Sequence, residues 1–133
     1  MSRYLLDTNI ISDLLRNPGG KAARRAIAAG QDAVCTSIIV AAELRHGCGK
    51  KGSARLLAAV EQLLETIPVL PLEAPADAVY GSLRAELEAA GRAIGSNDLL
   101  IGAHAHALGA TMVTANTAEF SRIQSLAVEN WLD

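Results

Sequence analysis

Tyr4-Leu5-Leu6-Asp7-Thr8-Asn9 is the stretch on which the fold turns. Three consecutive apolar residues read as a short strand buried on both faces. The strand ends in a carboxylate, and a hydroxyl and an amide side chain follow at once. Open parallel sheets bind ligands beyond the carboxyl ends of their strands. The stretch therefore predicts an α/β protein with Asp7 at the edge where ligands sit. Whether Asp7 acts alone depends on where the other acids fall.

Working outward, strands and helices alternate. Ile10 to Arg16 reads as a helix stopped by Asn17-Pro18-Gly19-Gly20, and Lys21 to Ala29 as a second helix ending near Gly30. Ala33 to Thr36 is a strand, and Ser37 is placed to cap a helix from Ile38 to His46 that Gly47 closes. Gly47 to Gly52 reads as a flexible basic turn. Ser53 to Thr66 is a helix with Leu56, Leu57, Val60, Leu63 and Leu64 on its apolar stripe. Val69-Leu70 is a brief strand, Pro75 opens a helix to about Ala90, and Asn97 to Leu108 is a helix ended by Gly109. Thr111 to Thr114, a short helix around Glu119-Phe120 and a strand from Leu126 to Val128 complete the series. Such alternation implies a roughly five-stranded parallel sheet covered on both faces, a three-layer α/β/α sandwich. Residues 1–133 fit one domain.

Composition narrows the class. Half the residues are hydrophobic but aromatics are only 3%, so Leu, Ile, Val and Ala must build the core. No apolar run reaches the ~18 residues of a membrane span, and no export signal is evident, so a cytoplasmic protein is expected. Cys35 and Cys48 read as free thiols of a reducing compartment. A net charge of −2 argues against nucleic-acid binding by bulk electrostatics. Yet if four of the 14 acids gather in one site, ten remain against 12 Lys and Arg. The total alone decides nothing.

Glu43 is the first companion of Asp7. On a helical wheel it lies about 140° from Ile38, between Ile39 at about 100° and Val40 at about 200°. A carboxylate inside an apolar arc needs a partner, either an internal Arg or Lys or a metal. Asp98 opens a helix that is apolar or small nearly all round, where an acid also suits the helix dipole. Asn116 and Glu119 follow the fourth strand and also read as a capping box. Each acid alone has a structural explanation. Together, four carboxylates on one edge of a parallel sheet cannot all ionise without a cation. An all-oxygen set selects Mg²⁺ or Mn²⁺, ions that favour phosphate substrates.

The stretches YLLDTNIIS at 4–12, TSIIVAAEL at 36–44, IGSNDLLIGAHA at 94–105, TANTAEFSRI at 114–123 and LAVENWL at 126–132 resemble the PIN domain, specifically the VapC-type ribonuclease toxins. The resemblance spans nearly the whole chain in order. It implies a PIN-like sandwich and a Mg²⁺-dependent endoribonuclease toxin of a type II toxin–antitoxin pair, acting on a structured RNA such as tRNA or rRNA. It also implies a VapB-type antitoxin partner and a homodimer. Position by position, Asp7, Glu43 and Asp98 match the acidic metal site, and Glu119 takes the fourth place with Asn116 in support. Thr8, Asn9, Ser37 and Asn97 match supporting or substrate-contacting positions. The loop before Asp98 departs from a common form of the family, with Ala93 and Ser96 where prolines stand, which implies a looser approach to Asp98.

The chemistry implied needs no protein nucleophile: metal-activated water attacks phosphorus and leaves a 5′-phosphate and a 3′-hydroxyl. His104 and His106 fall about 160° apart on one helix and, like His46, read as structural. Lys21, Arg24 and Arg25, and Lys50, Lys51 and Arg55, are candidate phosphate contacts. Two rivals use the same residues: a metal-dependent DNA nuclease or phosphatase, and a non-catalytic PIN-like binding module.

Overall fold

The computed structural model describes residues 2–133. Strands β1 (Tyr4–Leu6), β2 (Val34–Ser37), β3 (Val69–Leu70), β4 (Thr111–Val113) and β5 (Val128–Glu129) form one parallel sheet in the order β3-β2-β1-β4-β5. Seven helices flank it: α1 (Thr8–Arg16), α2 (Lys21–Ala29), α3 (Ile38–Lys51), α4 (Ala54–Leu64), α5 (Ala76–Ala89), α6 (Ser96–Leu108) and α7 (Thr117–Phe120). From β1 the chain steps outward to β2 and β3, then returns past β1 to β4 and β5. Right-handed crossovers place the helices of these two excursions on opposite faces. Helices α1 to α4 accordingly pack on one another, as do α5 with α6 and α6 with α7. The reversal falls between β1 and β4, so the switch point lies at the end of the strand that delivers Asp7.

The strands are buried because their residues are apolar on both faces: Leu5, Leu6, Met112 and Val113 are fully inaccessible. Ile10 and Ile11 of α1, Val40 of α3, Ile101 of α6, Phe120 and Trp131 complete the core. Helix α6 lies close to the segment after α7, where a Cβ on Gly102 would stand 2.8 Å from the Ile123 side chain. Small residues in α6 permit that approach. Cys35 and Cys48 are free and buried.

Three expectations need correction. Helix α3 does not close at Gly47 but runs through Cys48 and Gly49 to Lys51, ending at Gly52 with φ 63°. Leu44 and Cys48, one turn apart on this stretch, are buried, and that packing offsets the roughly 1 kcal/mol that each helical glycine costs. The supposed basic turn 47–52 is thus a helical end. The fifth strand is Val128–Glu129, later than Leu126–Val128. Pro75 caps α5 instead of occupying its first turn, which begins at Ala76.

Candidate active site at the switch point of the sheet

Asp7 leaves β1 and becomes the cap of α1, its Oδ1 accepting the Thr8 N–H at 2.8 Å. Oδ2 accepts the Thr114 hydroxyl at 2.8 Å and, more weakly, the Asn9 amide at 3.4 Å. The side chain is 4% exposed. Burial raises its pKa, the Thr114 and Thr8 hydrogen bonds oppose this, and the charge of Glu43 adds to the rise. Asn9 spans the switch point, since its Oδ1 accepts the Ala115 N–H at 3.0 Å. Asp7 is fixed in place before any ligand arrives.

Glu43 faces the same space from α3 and accepts the Thr8 hydroxyl. It is partly buried, and its partner is Thr8 instead of the internal Arg or Lys of the structural alternative. Ser37 is fully buried; its hydroxyl caps α3 through the Ile39 N–H and meets Nδ1 of His104 at 2.8 Å. Its role is therefore to support the helix carrying Glu43, and it is closed to substrate. His104 is itself buried, with its pKa lowered by burial, while His46 is exposed and His106 meets Ser125. No histidine enters the site.

Asp98 sits in the first turn of α6, partly buried, with Asn97 exposed beside it. Its pKa is pushed up to about 6, first by burial, then by the charges of Glu119, Asp7 and Glu43. Glu119, within hydrogen-bonding reach of Asp98, moves the other way. Its Oε1 accepts the Gly95 N–H at 2.9 Å and its Oε2 the Asn116 amide at 2.8 Å. Of the two, Glu119 ionises first and Asp98 last.

The capping box expected at Asn116 is absent: Glu119 does not reach back, because the Asn116 N–H donates to Thr114 Oγ1 at 2.9 Å. Glu119 is freed to face Asp98. Nor is the loop before Asp98 slack, since Arg122 donates to the Ala93 carbonyl and Glu119 holds Gly95. Thr114 is the residue the sequence reading passed over. It is fully buried, donates to Asp7, and accepts from Asn116, joining both halves of the site. A threonine ending an apolar strand gives no sign of that from sequence alone. Thr114→Val keeps the volume and removes both bonds. It should lower activity roughly 10–100-fold and cost about 1–3 kcal/mol of stability. Urea unfolding and initial cleavage rates check this, and wild-type values for both would refute it.

The four acids come together in electrostatic reach across the switch point. Among the described residues, no three His, Cys, Asp or Glu side chains stand close enough to enclose an ion as they are. The donor set still fits a hard divalent cation, being all carboxylate, partly oriented, and reluctant to ionise together.

Comparison with known proteins places the chain in a family. The PIN domain family matches residues 4–126. Ribonuclease VapC2 of Rickettsia felis is 38% identical over 130 residues, 96% of this chain and 97% of that protein. The tRNA(fMet)-specific endonuclease VapC of Shigella flexneri is 36% identical over 132 residues, 98% of this chain and 99% of that one. Among solved structures, DNA-bound VapBC from Salmonella typhimurium superposes with a TM-score of 0.90 at 33% identity, covering 98% of this chain and 99% of that one. With a site of carboxylates at the switch point and full-length similarity of this order, the chain belongs to the PIN-domain family, among the VapC ribonucleases.

Proposed function

We propose that residues 1–133 form a single Mg²⁺- or Mn²⁺-dependent endoribonuclease toxin that hydrolyses a backbone phosphodiester of a structured RNA. The observation that carries this reading is the convergence of four carboxylates, where burial first and then the charges of Glu119, Asp7 and Glu43 push Asp98 up to about 6. Such a cluster is relieved by a cation, and Asp7, Glu43, Asp98 and Glu119 would hold it. When bound, a divalent ion supplies Lewis-acid activation of water and neutralises charge at the phosphate. The chain's own residues do the positioning. Thr8, Asn9 and Thr114 orient Asp7, Thr8 also holds Glu43, and Gly95 with Asn116 keeps Glu119 ionised. Asn97, exposed beside Asp98, contacts substrate. Asp98 keeps its proton below about pH 6 and yields it above.

The substrate we favour is tRNA, because the Shigella flexneri relative carries that specificity in its name. The partner is a VapB-type antitoxin, as in the VapBC assembly from Salmonella typhimurium. Ile27 and Ile38, at 79% and 46% exposure, offer apolar surface for it or for a second copy of the chain. No helix among the described residues is long and apolar enough to cross a membrane.

The test is purified protein on tRNA, rRNA and single-stranded DNA, with Mg²⁺ or with EDTA. RNA cleavage should need the metal and leave 5′-phosphate ends. Undiminished cleavage in EDTA, or 2′,3′-cyclic phosphate ends, would refute the mechanism. Preference for DNA would transfer the site to the rival nuclease class.

A further inference from the structure

We propose that the groove between α1 and α3 is a second subsite for the substrate strand, holding a backbone phosphate between Arg16 and Lys51. The inference rests on the nuclease reading above and says where the strand runs after leaving the carboxylates. Both helices leave the carboxyl edge of neighbouring parallel strands, so they run side by side in one direction. The Thr8–Glu43 hydrogen bond sets their register. Four residues is about one turn, so Ser12 comes opposite Gly47 and Arg16 opposite Lys51. All six line one cavity of about 190 Å³, whose remaining wall is Leu15, Leu44, Cys48 and, from α4, Leu56 and Val60.

Two features of the groove call for a ligand. Arg16 and Lys51 are exposed, and neither belongs to an ion pair among the described residues, where Arg25, Arg45 and Arg84 pair with Glu129, Glu61 and Glu88. Between them and the carboxylates lies Gly47, inside a helix and without a positive φ. A Cβ there would meet nothing within 4 Å. Neither backbone nor packing asks for glycine, which is about 1 kcal/mol worse than Ala in a helix. What it leaves is open space along the groove. Cations in a last helical turn do suit the dipole, but that does not account for their facing the same cavity as Glu43. Eight residues along a helix is about 12 Å, a span of about three stacked nucleotides. The acidic end needs a cation to meet phosphate; the basic end needs none.

The decisive measurement is anisotropy of labelled tRNA on Asp98→Asn protein in EDTA, between roughly 50 and 200 mM salt. Adding Arg16→Gln and Lys51→Gln should weaken binding roughly tenfold and lower the salt slope by about 0.7 per lost contact. Arg45→Gln, outside the groove, should leave the slope alone. Gly47→Leu should weaken binding without lowering Tm, whereas a merely structural glycine would do the reverse. A wild-type slope in the double variant overturns the proposal. So does a double variant that loses only antitoxin affinity, for the groove would then belong to a protein partner. Binding here needs no turnover, so charge-dependent binding by an active-site-intact protein that cleaves no RNA would sink the nuclease reading and not the subsite.

Discussion

Asp98→Asn should abolish RNA cleavage and at the same time make the metal-free protein more stable. The activity loss should reach at least about 10²–10³-fold, the usual cost of removing one preorganised electrostatic group. The gain in stability follows from the sign of the pKa shift. Asp98 rises from 3.8 to about 6 on folding, so the folded state binds its proton more tightly than the unfolded chain. Its stabilising contribution is present below pH 3.8 and is lost as pH climbs through about 6. Above that, the folded protein holds an ionised carboxylate that burial, Glu119, Asp7 and Glu43 all disfavour. Asparagine removes that penalty. The bare shift converts to nearly 3 kcal/mol, but Asp98 is only partly buried, and solvent screening brings the expectation down to about 1 kcal/mol. For a domain of this size that is ~3–5 °C in Tm at pH 7.5 in EDTA, falling to about half at pH 5 and vanishing only below pH 3.8. Differential scanning fluorimetry at both pH values checks it. Mg²⁺ should raise Tm in wild type at pH 7.5 and much less in the variant. A variant less stable than wild type at pH 7.5 would show that Asp98 is there for the helix dipole.

The contrast between Asp98 and Thr114 explains what the sequence discloses. Asp7, Glu43, Asp98 and Glu119 are conspicuous because a carboxylate within an apolar setting breaks the local pattern: Asp7 ends a strand, Asp98 and Glu119 lie in first helical turns, and Glu43 falls inside the apolar arc of α3. The order of strands follows from alternation and crossover handedness, so the convergence of the acids is legible as well. Thr114, Gly95 and Arg122 break no pattern. Their roles rest on partners distant in sequence, such as Thr114 with Asp7, 107 residues away, and Gly95 with Glu119, 24 away. The run of α3 through Gly47 and Gly49 was hidden for a related reason. Glycine propensity is local, whereas the burial of Leu44 and Cys48 that overrides it is tertiary. Asn116 and Glu119 show the limit most clearly. Their spacing fits a capping box, and only the claim of Thr114 on the Asn116 N–H turns Glu119 toward Asp98.

Trp131→Ala is the substitution expected to cost the fold most. The ring is 1% exposed, at the edge of a sheet whose last strand has two residues. It packs against Tyr4 with centroids 5.2 Å apart, and the Arg25 guanidinium lies 5.8 Å from its centre. Its indole N–H donates to Glu129 Oε1 at 3.0 Å, the oxygen that also pairs with Arg25 at 3.3 Å. The exposed ion pair adds little, so the cost is in the ring. Truncating a buried tryptophan removes about 3–5 kcal/mol, or on the order of 10–20 °C in Tm. Trp131→Phe keeps most of the packing and should cost less than half of that. The effect should reach the chemistry, because the Glu129 carbonyl accepts the Thr114 N–H at 2.9 Å and Thr114 orients Asp7. Activity of Trp131→Ala should therefore fail at lower temperature than global unfolding, while Trp131→Phe loses both together. Coincident loss of activity and fold in the alanine variant would mean that β5 supports the sheet without steering the active site.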